Sequence, residues 1–141
     1  MSDEEQVRAA SDAFYRALRQ VCRRNAAPMS EVWHHDERVS TVHPMGSWVV
    51  GWEQVWATWQ ELAHVLSAGE ITVHDARMQL LGDVAIIACV EDVSLTIGES
   101  PVRWRSNVTN VFARRDGHWK MIHHHADKAP SAEKAIDEMT G

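Results

Sequence analysis

The amino-acid sequence predicts one α+β domain, in which three N-terminal helices pack on one face of a curved, mainly antiparallel sheet. Apolar residues recur at three- and four-residue spacing in the first half of the chain, and at every second position from Glu70 onward. The 141-residue length suits a single domain with its own core. We therefore assign residues 1–141 to one domain and expect 128–141 to be a polar C-terminal tail, with Ser131 as a possible start of a short helix.

Three segments carry helical patterns. The first runs from Glu5 to Arg24, and Asn25 to Pro28 should break it. Ser30 is a suitable N-cap for a short second helix that reaches about His34. The third runs from Trp52 to Leu66, and the glycine of Ser67-Ala68-Gly69 suits its C-terminal end.

Strand patterns fill the rest of the chain. Val39 to His43 is short and β-branched, and Pro44 to Ser47 should form the turn that follows. Four longer strands should form a meander: Ile71 to Leu80, Val84 to Ile97, Val102 to Arg114 and Trp119 to Ala126. Asp116-Gly117 predicts a hairpin between the last two.

Charge and composition exclude several classes of protein. The net charge is −6 and the basic residues occur only as short groups, so we expect no nucleic-acid partner. No apolar run approaches the roughly 20 residues that a membrane span needs. The N-terminus is acidic rather than basic, unlike a signal peptide, so we expect a cytoplasmic protein. Cys22 and Cys89 lack metal-site spacing and should be buried thiols.

Four short motifs occur in an informative order. Phe14-Tyr15 lies in the first helix, Val42-His43-Pro44-Met45-Gly46 precedes the third, and Leu81-Gly82-Asp83-Val84-Ala85 opens a long strand. The fourth is the final hairpin around Asp116-Gly117. Together they resemble the nuclear transport factor 2-like superfamily, which includes SnoaL-like domains and ketosteroid isomerases, over roughly residues 5 to 127. The resemblance implies a cone-shaped domain, a pocket between helices and sheet, and no organic cofactor or metal. Because the fold hosts isomerases, cyclases, dehydratases, hydrolases and binding modules, it does not fix the reaction.

One motif bears on chemistry. Ketosteroid isomerases carry their catalytic aspartate just before Pro-x-Gly, and here His43 precedes Pro44-Met45-Gly46. Histidine has an ordinary pKa of about 6.5 and can act as a base at neutral pH. Tyr15 lies roughly where the isomerase tyrosine does, but no carboxylate falls clearly at the position of the second oxyanion donor.

The final hairpin predicts which side chains face the helices. With Asp116-Gly117 in the turn, Phe112 should oppose Met121, Asn110 should oppose His123 and Val108 should oppose His125. The apolar members mark the concave face, which Trp104, Asn110, His123 and His125 would share, while His124 would face outward. A slip of one residue would invert this assignment.

These residues predict a small-molecule enzyme that uses general acid–base catalysis in an apolar pocket. The catalytic residues would be His43 as the base, with Asn110, His123 and Tyr15 orienting the substrate or stabilising an oxyanion. The ligand-binding residues would be Trp33, Trp48, Trp52, Trp56, Trp104, His125 and Asp127. A non-catalytic ligand-binding or oligomerisation module is the main alternative.

Two further expectations concern a metal and a partner. His123 and His125, two apart on one strand, could share a metal, but no HExxH signature is present and we expect none. Members of the superfamily commonly pair through the outer face of the sheet. We therefore expect a homodimer, in which an outward His124 would make the contact sensitive to acid.

Overall fold

A computed structural model describes residues 1–140 and confirms the α+β class. Its helices are α1 (Asp3–Val21), α2 (Ala27–Glu31), α3 (Trp52–Val65) and α4 (Pro130–Thr140). Its strands are β1 (Ser40–Val42), β2 (Trp48–Val50), β3 (Leu66–Leu81), β4 (Val84–Ile97), β5 (Ser100–Arg115) and β6 (His118–Ala126). They form one open sheet in the order β2-β1-β6-β5-β4-β3. The β1–β6 pair is parallel and the other pairs are antiparallel.

The first helix follows the predicted pattern and begins slightly earlier. Ser2 accepts a hydrogen bond from the Glu5 amide, and the Glu5 side chain reaches back to the Ser2 amide, so a capping box fixes the start at Asp3. The helix buries its apolar face, including Phe14 and Tyr15, against the sheet. No helix within residues 1–140 combines the length and apolarity that crossing a membrane requires.

The second helix differs from the prediction. It begins at Ala27, with Pro28 in its first turn, and Ser30 lies inside it rather than at its N-cap. A proline is favourable at the first helical position because its missing N–H would have no intrahelical partner there. Pro28 therefore starts a helix where we expected a break.

The transition from α3 to β3 also differs from the prediction. The chain passes straight into the strand at Leu66, and Ser67-Ala68-Gly69 belongs to β3 instead of capping the helix. A Cβ atom on Gly69 would lie 2.5 Å from the Cβ of Cys22. Glycine at this position therefore lets β3 approach the end of α1 closely.

The structure contains one strand that was not predicted, and it forms the short helix for which Ser131 was one suggested start. The three-residue strand β2 follows the Pro44–Ser47 turn and pairs with β1, so that Ser40 lies opposite Val50. Instead of a polar tail alone, α4 packs Ala132 and Ala135 against the strands. Gly141 lies outside the described residues.

A bulge in β6 corrects the predicted orientation of the histidines. Phe112 lies opposite Met121, as expected, but Val111 lies opposite His123, which leaves Ile122 as one extra residue on β6. Beyond the bulge the alternation inverts, and Asn110 lies opposite His124. The prediction that His123 and His125 share the concave face was therefore wrong, as was the outward orientation of His124.

Candidate functional site

A carboxyl group lies in the core, on the concave face of β4. Glu91 is 3% exposed and shares its face with Cys89 and Val93. The Tyr15 hydroxyl donates a 2.7 Å hydrogen bond to Glu91 Oε2 and lies 3.4 Å from Cys89 Sγ. Within residues 1–140, no Lys, Arg or His side chain forms a salt bridge with Glu91.

An amide and a histidine extend this network across the sheet. Asn110 Nδ2 donates to the Tyr15 oxygen at 3.0 Å, which leaves Asn110 Oδ1 as an acceptor. His124 Nδ1 lies 2.6 Å from that oxygen and must carry the proton that is donated to it. Neutral His124 is therefore the Nδ1–H tautomer. Glu91, Tyr15, Asn110 and His124 form one buried chain, which we call the Glu91 network.

Burial perturbs the acid–base properties of this network. Removal from water raises the pKa of Glu91 to about 7, although the hydrogen bond from Tyr15 acts in the opposite direction. Burial, with the neighbouring Glu91 charge as the next cause, raises the pKa of Tyr15. Burial also lowers the pKa of His124 well below its ordinary value. Near neutral pH the group in the network that can gain or lose a proton is therefore Glu91.

His43 lies beside the network without a hydrogen bond to it. The Thr58 hydroxyl donates to the Val55 carbonyl at 2.6 Å, so it accepts from His43 Nε2 at 2.8 Å. The imidazole packs edge-on against Trp59, with ring centroids 4.4 Å apart. Burial lowers the pKa of His43 to about 3, so that this side chain is neutral at physiological pH.

A cleft connects the Glu91 network to the surface of the domain. It lies between α1 and β3 and has a volume of about 710 Å³. Tyr15 and Ile87 line it from the buried side, and Ile71, Val73 and Met78 line it from the sheet. Tyr15 thus belongs both to the wall of the cleft and to the hydrogen-bonded network.

The structure brings together only some of the predicted catalytic residues. Tyr15 and Asn110 are in direct contact, and the ring of His43 lies near that of His124 at 6.0 Å between centroids. His123 is on the outer face of the sheet, where its Nδ1 lies 2.7 Å from Ser40 Oγ. Its separation from the other three follows from the bulge at Ile122.

Two of the predicted ligand-binding residues also lie away from the Glu91 network. His125 is exposed on the outer face, and Asp127 accepts hydrogen bonds from the backbone and side chain of Asn107. Although His123 and His125 are neighbours, the described residues contain no group of three or more His, Cys, Asp or Glu side chains that could hold a metal ion.

The tryptophans do not converge on one cavity. Trp33 is 1% exposed and forms part of the core, whereas Trp48 on β2 is 66% exposed. Trp52 and Trp56 stack on each other near the surface, and His35 stacks on Trp52 with ring centroids 4.1 Å apart. Trp104 is half-buried on the sheet, and its indole N–H has no hydrogen-bond partner within residues 1–140.

One of the seven tryptophans, Trp59, contacts both His43 and His124. It was not among the predicted ligand-binding residues.

The site predicted from the sequence included neither Glu91 nor His124. The signal for Glu91 was strand parity, because Ile87, Cys89 and Val93 share its face and are buried in the core. No comparable signal existed for His124, since its orientation depends on the bulge.

Comparisons with known proteins give the context of this geometry. The family model of the SnoaL-like domain matches residues 7–128. A solved structure from Streptomyces avermitilis, named as a candidate dehydratase of the NTF2-like family, is 27% identical with a TM-score of 0.78, covering 89% of this chain and 94% of that one. Another, from Thiobacillus denitrificans, is named as a candidate calcium/calmodulin-dependent protein kinase type II association domain. It is 30% identical with a TM-score of 0.70, covering 86% of this chain and 94% of that one.

A longer relative is similar over part of its length. The F-box protein SKIP8 of Arabidopsis thaliana is 28% identical over 98 residues, which are 70% of this chain. The chain spans 40% of the length of that relative.

Proposed function

The chain belongs to the SnoaL-like domain family, and we propose that it binds a small molecule in the cleft between α1 and β3 and transfers a proton to or from it. The SnoaL-like fold is consistent with a domain that binds small molecules. One observation carries the proposal further, to catalysis: a buried carboxyl group that titrates near neutral pH is hydrogen-bonded to a side chain that lines the cleft. Acid–base groups of enzymes work best with a pKa near the operating pH.

In this proposal Tyr15 relays the proton between the cleft and Glu91. A substrate proton passes to the Tyr15 oxygen while the Tyr15 proton passes to the Glu91 carboxylate, and the reverse transfer protonates the product. Because the pKa of Tyr15 is raised, both transfers occur in one step, without a free phenolate. The hydrogen bond from Asn110 Nδ2 stabilises negative charge that develops on the Tyr15 oxygen.

His124 acts as a positioning residue. Its Nδ1–H donates to Asn110 Oδ1 and thereby holds the amide with Nδ2 directed at Tyr15. His43, the base expected from the Pro-x-Gly motif, has a pKa of about 3 and already donates its Nε2 proton to Thr58. We therefore assign the proton-carrying role to Glu91 and leave His43 as a neutral part of the wall beside Trp59.

The class of reaction is one that begins with removal of a proton next to a carbonyl group. Isomerisation, cyclisation and dehydration share this first step, and the relative from Streptomyces avermitilis is named as a candidate dehydratase. The whole reaction and the substrate are not needed to test the first step, because α-proton exchange with solvent reports it directly.

The experiment measures deuterium incorporation from D₂O into a panel of small ketones, with NMR detection. We expect exchange above the buffer rate with the wild type, and loss of that excess with Glu91→Gln and with Tyr15→Phe. Glu99→Gln, an exposed position in the turn that follows the same strand, is the matched control and should retain exchange. Exchange that persists in Glu91→Gln but disappears in His43→Gln would instead identify His43 as the base.

A second candidate function is association with further copies of the chain. Trp48 and Val50 on the edge strand β2 are 66% and 43% exposed, which is a high exposure for large apolar side chains. The relative from Thiobacillus denitrificans is named as a candidate association domain. The expected homodimer through the outer face of the sheet remains part of this candidate function. The expectation that His124 makes this contact sensitive to acid was wrong, because its side chain is 3% exposed and faces the core. Sedimentation at micromolar concentration tests it, and a monomer would contradict it.

A further inference from the structure

We propose that the cleft between α1 and β3 binds a small organic anion, whose anionic group contacts Arg16 and Arg19. This inference rests on the proposed function, because it names the class of substrate for the same cleft. The ligand would carry a carboxylate or a phosphate at one end and a carbonyl or hydroxyl group that reaches Tyr15 at the other.

The charge of the cleft differs from that of the protein. Arg8, Arg16 and Arg19 line it from α1, and Asp12 is the one acidic residue among the lining residues described. The protein as a whole has a net charge of −6. A concave surface of locally positive charge concentrates anions near it, even on an acidic protein.

The three arginines differ in the hydrogen bonds and salt bridges that their side chains form within the protein. Arg8 forms a 2.7 Å salt bridge with Glu4, one turn away on the same helix. Arg19 donates from one terminal nitrogen to the Ile71 carbonyl at 3.0 Å, which anchors its guanidinium against β3. Arg16 forms no hydrogen bond or salt bridge with any other residue in 1–140. A guanidinium group without a partner at the edge of a cleft can bind a carboxylate or phosphate through two parallel hydrogen bonds.

The rest of the cleft selects the shape of the ligand. Ile71, Val73, Met78 and Ile87 provide an apolar wall between the arginines and the buried tyrosine. An inorganic ion would leave this wall unused, whereas an organic anion buries its carbon skeleton against it. The anionic group would then orient the reacting end of the molecule toward Tyr15.

The test uses three probes: levulinate, which combines a ketone with a carboxylate, its neutral amide levulinamide, and phenyl phosphate. Binding is measured by calorimetric titration at low and at high salt. We expect at least one of the two anions to bind more tightly than levulinamide, with an affinity that falls as salt rises. Equal affinity for levulinate, phenyl phosphate and levulinamide would overturn the proposal.

Substitutions locate the contact. Arg16→Gln should weaken binding of the preferred anion by about fivefold, and Arg16→Glu should weaken it further, because an exposed ion pair contributes up to about 1 kcal/mol. Both changes are at an exposed position and should leave the fold intact. Arg103→Gln, which removes the same charge from the outer face of the sheet, is the control and should bind as the wild type does. An Arg16→Gln variant that binds the anion with wild-type affinity would contradict the proposal.

The same probes separate this inference from the proposed function. Anion binding that depends on Arg16, without α-proton exchange in levulinate, would support the anion site and contradict the proton-transfer function. Exchange that is equally fast in levulinate and in levulinamide, and unchanged in Arg16→Gln, would support the function and overturn the anion site.

Discussion

The Tyr15 hydroxyl lies 2.7 Å from the Glu91 carboxylate, across 76 residues of sequence and between the first helix and the concave face of β4. This contact joins the wall of a cleft to the acid–base group of the core that titrates near neutral pH. The proposed function depends on this contact, since Tyr15 is the member of the Glu91 network that lines the cleft.

The first prediction concerns the pH dependence of stability that Glu91 causes. Burial raises its folded-state pKa from 4.5 to about 7, so between these values the folded protein binds more protons than the unfolded chain. The free energy of unfolding of the wild type, relative to Glu91→Gln, should therefore fall as pH rises through this window, by up to about 3 kcal/mol. Urea denaturation across the window measures it, with Glu99→Gln as the exposed control. A difference between wild type and Glu91→Gln that does not change with pH would contradict the raised pKa.

The second prediction concerns the loss of stability at low pH that His43 causes. Burial lowers the folded-state pKa of His43 from 6.5 to about 3. Between these two pH values His43 is protonated in the unfolded chain and neutral in the folded protein. This contribution to stability is fully present above the unfolded pKa and should be lost as pH falls toward 3, at a cost of up to about 4 kcal/mol. His43→Gln, which retains a donor for Thr58, should lose less stability in acid than the wild type does. His118→Gln, at an exposed position in the final hairpin, should behave as the wild type. Equal acid sensitivity in all three proteins would show that His43 is not the group responsible.

The third prediction concerns the protonated nitrogens of the two buried histidines. Hydrogen bonding assigns the proton to Nδ1 in His124, which donates to Asn110, and to Nε2 in His43, which donates to Thr58. Nitrogen NMR at neutral pH should show two neutral rings of opposite tautomer. Asn110→Leu should remove the tautomer preference of His124 but not that of His43. Two rings of the same tautomer in the wild type would contradict the proposed direction of the network.

The fourth prediction concerns the close approach of β3 to α1. A methyl group at position 69 would lie 2.5 Å from the Cβ of Cys22, so Gly69→Ala should lower the free energy of unfolding by about 1–3 kcal/mol. At Gly46 an added Cβ would lie at an ordinary 3.9 Å from His43, and Gly46→Ala should change stability by less than about 1 kcal/mol. Thermal or urea unfolding compares the two. Equal stability of both variants would show that the contact at Gly69 is not tight.

Long elements with a clear hydrophobic period were predictable from the sequence. The α1 helix and the β4 strand have enough turns or alternations to average out single exceptions, and both lie within a few residues of their predicted bounds. The three residues of β2 are too short to show a period. Pro28 was interpreted as a helix breaker although it also suits a first turn, and only packing decides between these two roles.

The site was less predictable because single residues determine it. Ile122 looks like any other strand residue, yet as the extra residue of a bulge it exchanges His123 for His124 on the concave face. Glu91 could have been found, since its neighbours at every second position are apolar. However, the continuous apolar run from Val84 to Val90 predicted a half-strand covered on both faces, so it did not indicate which side of β4 is the inner one. The structure shows strict alternation there. The buried positions of Tyr15 and Asn110 were predictable, because the resemblance placed Tyr15 in the first helix and the hairpin turn placed Asn110 on the concave face. Their catalytic roles stay predictions.

The pH dependence of α-proton exchange tests the central claim most directly. If the Glu91 carboxylate accepts the proton through Tyr15, the exchange rate of a bound ketone should rise with pH and level off above the pKa of about 7. Glu91→Gln and Tyr15→Phe should each reduce the rate to that of buffer at every pH, while Glu99→Gln keeps the wild-type profile. A wild-type protein that binds the ketone but exchanges its α-protons no faster than buffer, or a Glu91→Gln variant with the wild-type profile, would contradict the account.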